Sequence, residues 1–248
     1  MNPAVVEQLA PAGVLRAGIN LSNFLLVTGR GAAGEPVGVA PDMAAEAARR
    51  LGVPLQLVPF QGPAEVADAV GQGLWDIALI GAEPQRAERI AFAPAYVEIR
   101  STYLVPAGSP IGTLSAVDRP GVRIAAKRGA AYTLWLERNI RQAEMVLTDT
   151  IDQSFEVFVR DRLQALAGLH PRLLQDLEQL PGARILDGQF SSVQQSIGTA
   201  RGRPEGAAWL HGFVEDAKAC GLVAKLIERH GVKGLSVAPA ATNGAVGA

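Results

Sequence analysis

Trp75-Asp-Ile-Ala-Leu-Ile-Gly-Ala-Glu-Pro-Gln-Arg86 decides the fold class. Trp75 to Ile80 is an almost continuous apolar run, the pattern of a strand in a sheet covered on both faces. Gly81 ends it. Glu83-Pro84 then opens a short helical turn, where the missing N–H of proline costs nothing. Arg86 falls in that turn, near the strand's C-terminal end, the place where α/β sheets hold ligands. A planar guanidinium there can grip a carboxylate by two parallel hydrogen bonds, which lysine cannot reproduce. The competing reading is a surface arginine paired with Glu83 at i−3.

Working outward, strands and helices alternate. Val14 to Ile19 reads as a buried strand. Asp42 to Leu51 reads as a helix, with Asp42 as N-cap and Gly52 as terminator. Pro54 to Val58 is a strand and Ala64 to Gly71 a short helix. The alternation predicts a mainly parallel α/β sheet. A second series follows. Strands are expected at Ser101–Val105, Val122–Ala126, Met145–Leu147, Ala165–Ala167 and Arg184–Leu186. Helices are expected near Ala131–Arg141, Ile151–Asp161 and Pro171–Leu180. Ser192–Thr199 is extended. Glu205 to His230 closes the chain as a helix pair divided by Gly221, and the tail after Leu235 is expected to fray. Two such series in 248 residues predict two lobes of about 120 residues each. Lobe 1 is 1–98 plus 195–235, lobe 2 is 99–194, and 236–248 is a flexible tail. Strand ends of the two lobes would face each other across a cleft.

Composition narrows the function classes. The chain carries 23 basic and 24 acidic residues, a net charge of −1. Nucleic-acid binders draw most of their affinity from a basic excess, so a general nucleic-acid role is not expected. Cys220 is the single cysteine, which excludes an internal disulfide framework and a cysteine-rich zinc site. No segment reads as a transmembrane helix, so direct membrane insertion is not expected. Met1 to Glu7 lacks a basic n-region and an apolar h-region, so no signal peptide is read there. There is no G-x-x-x-x-G-K-[ST] loop, no G-x-G-x-x-G after a strand and no G-x-S-x-G elbow. His170, His211 and His230 lie far apart, without metal-ligand spacing. Neither a metal nor a cofactor is expected. Cys220, beside Gly221 on an amphipathic helix, reads as packing, and Trp75 reads as core.

The segment Asp76 to Tyr96 resembles the type 2 periplasmic solute-binding proteins of family 3, the polar amino acid class. Their pattern is a strand ending in Asp plus apolar residues, then T-x-x-R, then an apolar-aromatic-Ser/Thr-x-P-Y segment. Trp75-Asp76-Ile-Ala, Arg86, Ile90-Ala-Phe92 and Pro94-Ala-Tyr96 match it. Leu15-Arg-Ala-Gly18, Pro36-Val-Gly38 with Pro41-Asp42-Met43, Gly121 to Ala126 with Gly129, and Glu205 to His230 extend the resemblance over nearly the whole chain. No single motif is highly specific; their order and spacing together are.

The resemblance implies a two-lobed periplasmic-binding-protein-like type II α/β fold with a ligand cleft. It implies a non-enzymatic, monomeric binding component of an ABC-type importer, with a permease as partner. It also implies a periplasmic location, whereas the missing leader would make a complete chain cytoplasmic. Arg86 stands where the family holds the ligand carboxylate. Glu83 replaces a hydroxyl, and the link from Asp76 to Arg86 is two residues short. Asn23 matches the stacking aromatic. Gly129-Ala130-Ala131 keeps helix-start N–H groups, which favour an anion, but loses a hydroxyl. The acid that holds the α-ammonium aligns near Leu169, beside His170. An ammonium without a carboxylate partner is costly to desolvate. Either Glu83 is a displaced ammonium anchor, or Glu83 neutralises Arg86 and the ligand lacks an ammonium. The expected ligand-binding set is Asn20, Asn23, Gly81, Glu83, Arg86, Lys127, Arg128, Ala130, Tyr132, His170 and Gln194. For Asn20 and Asn23 plain turn chemistry competes; for Lys127 and Arg128, a solvated strand end. An enzyme resembling the cyclohexadienyl dehydratases, with Glu83 as acid, and a cytosolic ligand-sensing domain are the alternatives.

Overall fold

The computed structural model describes residues 2–241 and divides the chain at Glu98–Ile99 and at Val193–Gln194. Unit 1 takes the chain up to Glu98 and from Gln194 on; unit 2 is Ile99–Val193. No helix among the described residues is long and apolar enough to cross a membrane.

Unit 1 begins with a helix that sequence patterning does not reveal, α1 (Pro3–Leu9). Asn2 caps it by accepting the Ala4 N–H at 3.0 Å. Seven residues are too few to show a helical period. After β1 (Leu15–Asn20) comes a hairpin of β2 (Gly29–Arg30) and β3 (Pro36–Val37). The run Gly29-Arg-Gly-Ala-Ala-Gly34 therefore lies in a hairpin and opens no helix, as a phosphate-binding glycine loop would have to. α2 (Val39–Leu51) buries Met43, Ala44, Ala47, Ala48 and Leu51, and Gly52 ends it in the left-handed conformation at φ 73°. Its N-cap is Gly38, not Asp42. Asp42 lies inside the first turn, and its Oδ2 instead meets His230 Nε2 at 2.9 Å and Arg229 Nη1 at 3.2 Å. Then come β4 (Leu55–Phe60), α3 (Pro63–Asp68), β5 (Ile77–Gly81), α4 (Pro84–Ala87), β6 (Ile90–Phe92) and β7 (Val97–Val105). All five residues of β5 are buried, as its unbroken apolar pattern requires. Trp75 is core: its indole N–H donates to the Val66 carbonyl at 2.9 Å, beside Ala78 and Ile80.

Unit 2 alternates strand and helix again: β8 (Arg123–Lys127), α5 (Ala131–Asn139), β9 (Glu144–Thr148), α6 (Ile151–Arg160), β10 (Ala165–Leu169), α7 (His170–Leu177), β11 (Arg184–Ile185) and the start of β12 (Ser191–Ala200). β10 is parallel to β8 and β8 to β9, while β7 runs antiparallel to β10, Ser101 opposite Leu169. Leu104, Ala125, Phe158, Leu163, Leu166 and Leu173 form the core under α6 and α7.

The chain then returns to unit 1. Its sheet sets β1 between β4 and β5, all parallel, and β12 antiparallel to β5 with Gln195 opposite Gly81. α8 (Pro204–Ala219) and α9 (Leu222–Arg229) follow, broken as expected at Gly221, which has φ 75°. Cys220 is exposed rather than packed. Residues 236–238 do not fray. β13 (Ser236–Val237) pairs with Glu98 and Val97, and the Ala238 N–H donates to the Tyr96 carbonyl at 3.1 Å. The rest of the predicted tail, 242–248, lies outside the described residues.

Candidate functional site

Parallel neighbours end at the same edge of a sheet, so topology gathers the candidate residues of each unit. In unit 1, β1 ends at Asn20, β5 ends at Gly81, and Gln195 of antiparallel β12 lies opposite Gly81. Asn20, Asn23, Gly81, Glu83, Arg86 and Gln194 all belong to this edge or to the turns that leave it.

The turn after β1 is held by Asn20, whose Oδ1 accepts the Ser22 N–H at 3.1 Å and the Ser22 hydroxyl at 2.8 Å. That is turn chemistry, and it occupies the Asn20 Oδ1. Asn23 is different: its Oδ1 is buried and accepts no hydrogen bond. After β5, Glu83 caps α4, and its carbonyl accepts the N–H groups of Arg86 and Ala87, both at 2.9 Å. Arg86 is only 6% exposed and Glu83 8%. The surface-arginine reading therefore fails. Arg86 Nη1 donates to the Gly81 carbonyl at 2.7 Å, which turns the guanidinium back over the end of β5. Burial pulls its pKa down to about 10, against the opposing charges of Glu83 and Asp68. It stays a cation at neutral pH. Gln194 donates from Nε2 to Glu98 Oε1 at 2.7 Å.

Two further polar groups lie in this part of unit 1. Gln195 Oε1 and the Tyr96 hydroxyl are buried without a hydrogen-bond partner. The Tyr96 N–H donates to the Gln195 carbonyl at 2.9 Å. Burial also raises the Tyr96 phenol well above its ordinary pKa. Buried polar atoms without partners are uncommon and call for an explanation.

In unit 2 the parallel pair β8 and β10 ends at Lys127 and at Leu169–His170. Lys127 is 8% exposed, and its carbonyl accepts the Thr133 hydroxyl at 2.7 Å. Arg128, the next residue, is a surface group: its side chain is 63% exposed and lies 3.7 Å from Asp149. Gly129 turns the chain at φ 69°, and Ala130 is the N-cap of α5 without a side-chain cap. The first-turn N–H groups of α5 are thus left without the hydroxyl that a Ser or Thr would supply. Tyr132 is buried and lines a small internal pocket with Ser154, Arg172 and Asp176. Its phenol is pushed up to about 12 by burial. Asp176, also raised by burial, accepts from Arg172 Nε at 2.8 Å. His170 opens α7, and partial burial together with the charge of Arg100 lowers its pKa. Sequence reasoning passed over Ser101, whose buried hydroxyl has no partner and which pairs with Leu169 at this same edge.

Each unit gathers at one strand edge a buried cation (Arg86 in unit 1, Lys127 in unit 2), helix-start or turn N–H groups, and buried polar atoms without partners. Among the described residues no three His, Cys, Asp or Glu side chains group as metal ligands.

Comparison with known proteins gives the family and the fold. The family described as bacterial extracellular solute-binding proteins, family 3, matches residues 22–233. No curated protein matches the chain in sequence. Several solved structures share its fold. The ancestral amino acid-binding protein AncCDT-1, a precursor of cyclohexadienyl dehydratase, is 20% identical, with 90% of this chain and 97% of that chain covered and a TM-score of 0.73. A binding component of an ABC transporter from Wolinella succinogenes, complexed with lysine, is 21% identical, with 88% and 95% covered and a TM-score of 0.73. The amino acid ABC transporter substrate-binding protein AbpA from Streptococcus pneumoniae, bound to L-arginine, is 18% identical, with 90% and 97% covered and a TM-score of 0.73. The fold is the two-lobed type II fold of the periplasmic binding proteins.

Proposed function

The chain belongs to the bacterial extracellular solute-binding proteins of family 3, and on that premise we propose that it reversibly binds a small carboxylate-bearing solute as the substrate-binding component of an ABC-type importer. Arg86 carries this reading. It is a buried cation at the end of a fully buried strand, and a desolvated guanidinium favours a bidentate anionic partner. Asn20, Asn23, Gly81, Glu83 and Gln194 are its companions on unit 1. Lys127, Arg128, Ala130, Tyr132 and His170 are the proposed contributors of unit 2. Among these, Arg128 has the least support, because it pairs with Asp149 at the surface. The partner is a permease, the location is outside the inner membrane, and the working form is a monomer.

Isothermal titration of the purified protein with amino acids, 2-oxo acids, 2-hydroxy acids and dicarboxylates tests the reading. Arg86→Ala removes at least one charge-assisted hydrogen bond of about 1.5–3 kcal/mol, so affinity for the bound carboxylate falls by at least about 10- to 150-fold. Arg86→Lys keeps the charge and loses the fork, with an intermediate loss. Unchanged affinity in both variants rejects Arg86 as the anchor.

A dehydratase is the second reading. Two features favour it: Glu83 is a nearly buried carboxyl one helical turn from Arg86, and one structure of this fold is described as a precursor of cyclohexadienyl dehydratase. Turnover of prephenate or arogenate that disappears in Glu83→Gln would establish it.

A further inference from the structure

Unit 2 holds a second cavity, at the opposite end of its sheet from Lys127 and His170. It has a volume of about 380 Å³. Phe158 and Leu163, both buried, form its floor; Pro106, Leu180 and Val159 form its walls. Val159 is 45% exposed, so this lining side chain is open to solvent. Cavities that hold small molecules are commonly about 300–1,000 Å³, mostly apolar, with few polar groups that fix orientation.

Here the polar group is Arg162, the only ionisable residue in the lining. Its backbone is left-handed at φ 49°, the only non-glycine residue with positive φ among the described residues. The reason is the end of α6. Leu163 N–H donates to the Phe158 carbonyl at 3.0 Å and Arg162 N–H to the Val159 carbonyl at 3.4 Å. This is a Schellman ending, whose left-handed position is usually glycine. An arginine there retains backbone strain that glycine would remove. No carboxylate among the described residues takes its guanidinium. The adjacent Asp161 is already held by Arg160, at 2.7 Å and 2.9 Å.

We propose that this cavity is a second binding site, for a small amphipathic monocarboxylate whose hydrocarbon body lies on Phe158 and Leu163 and whose carboxylate pairs with Arg162. The site is independent of the strand-edge residues and of the transport role.

Octanoate is the probe, titrated into the whole protein with methyl NMR as readout and octylammonium as the matched cation. Octanoate is expected to give saturable shifts at Val159, Leu163 and Leu180. Octylammonium should give none. Arg162→Gly relieves the backbone, so the protein unfolds at the same or a higher temperature while octanoate binds about five-fold more weakly, the upper range for an exposed ion pair. Val159→Asp, a change at an already exposed position, should abolish binding. Equal binding of the cation, undiminished binding in Arg162→Gly, no saturable shift, or shifts confined to the strand-edge residues would each overturn the proposal.

Discussion

Arg16 closes on Asp76 as a fork: Nε and Nη2 each lie 2.8 Å from a carboxylate oxygen, and the Arg16 backbone N–H adds a third bond at 3.1 Å. Asp76 is fully buried. The Thr199 hydroxyl bonds the Asp76 carbonyl at 2.8 Å, so the residue ties β1, β5 and β12 together just before the edge that carries Arg86. The aspartate of the family pattern is thus a staple of the sheet. Arg203 Nη1 lies 3.4 Å from the same carboxylate, and the Arg16 and Arg203 side chains are 22% and 25% exposed, so neither cation would be left fully buried. Asp76→Ala should therefore lower unfolding free energy by about 1.5–3 kcal/mol, the contribution of a hydrogen bond to a charged group, read as a drop in the urea midpoint. A loss under 1 kcal/mol would show that the pair is not a stabilising staple.

Gly38 has φ 152° and ψ −174°, a region reserved for glycine. A Cβ there would overlap the Leu26 carbonyl oxygen. Gly38→Ala should destabilise by at least about 1–3 kcal/mol, measured by chemical denaturation, because the obstacle is backbone and cannot swing aside.

His170 should titrate below its ordinary range, since partial burial and Arg100 both disfavour the imidazolium. Its folded pKa is depressed, so its contribution to stability is complete above about pH 6.5 and is lost as pH falls through the folded value. Arg100→Ala removes the second cause and should move the imidazole resonances' midpoint upward in an NMR titration. No movement would mean that burial alone sets it.

Glu83→Gln separates the two ligand chemistries. Glu83 opposes the desolvation of Arg86. If the solute carries only a carboxylate, removing Glu83 leaves Arg86 less neutralised, and calorimetric affinity should rise several-fold. A large loss confined to α-amino acids would instead make Glu83 the ammonium anchor.

Glu46 should contribute to acid sensitivity. Hydrogen bonds and charge from Arg49, then Arg50, lower its pKa to about 2. With the folded value depressed, its contribution is complete above about pH 4.3, the unfolded value, and is lost as pH falls towards about 2. Glu46→Gln should flatten the melting temperature against pH in that window. An unchanged profile would assign the acid limb to other carboxylates.

Short-range signals were legible from the residues. The unbroken apolar run of β5, the Glu83-Pro84 start of α4, and the glycine stops at Gly52 and Gly221 each act within a few residues, so period and turn chemistry exposed them. Arg86 could be placed at a strand end for the same reason. Its burial could not. Lys127 and Arg128 show the limit well: neighbours of like charge at one strand end, one buried and the other out in solvent beside Asp149. Tyr132 was equally ambiguous, because the helix start does not say which face of α5 meets the core.

What the sequence by itself determined was the alternation of strands and helices, the covered central strands, the order of motifs and hence the family. These follow from local propensity and hydrophobic period, which need no knowledge of distant residues. Only the tertiary structure decided that Asp76 is clasped by Arg16, that Asp42 serves His230 rather than a helix start, that Ser236–Val237 pairs beside Glu98, and that Asn23, Gln195, Tyr96 and Ser101 hold polar atoms without partners. Burial and pairing depend on what packs from far along the chain, and the cost of a charge or a polar atom is set by that packing.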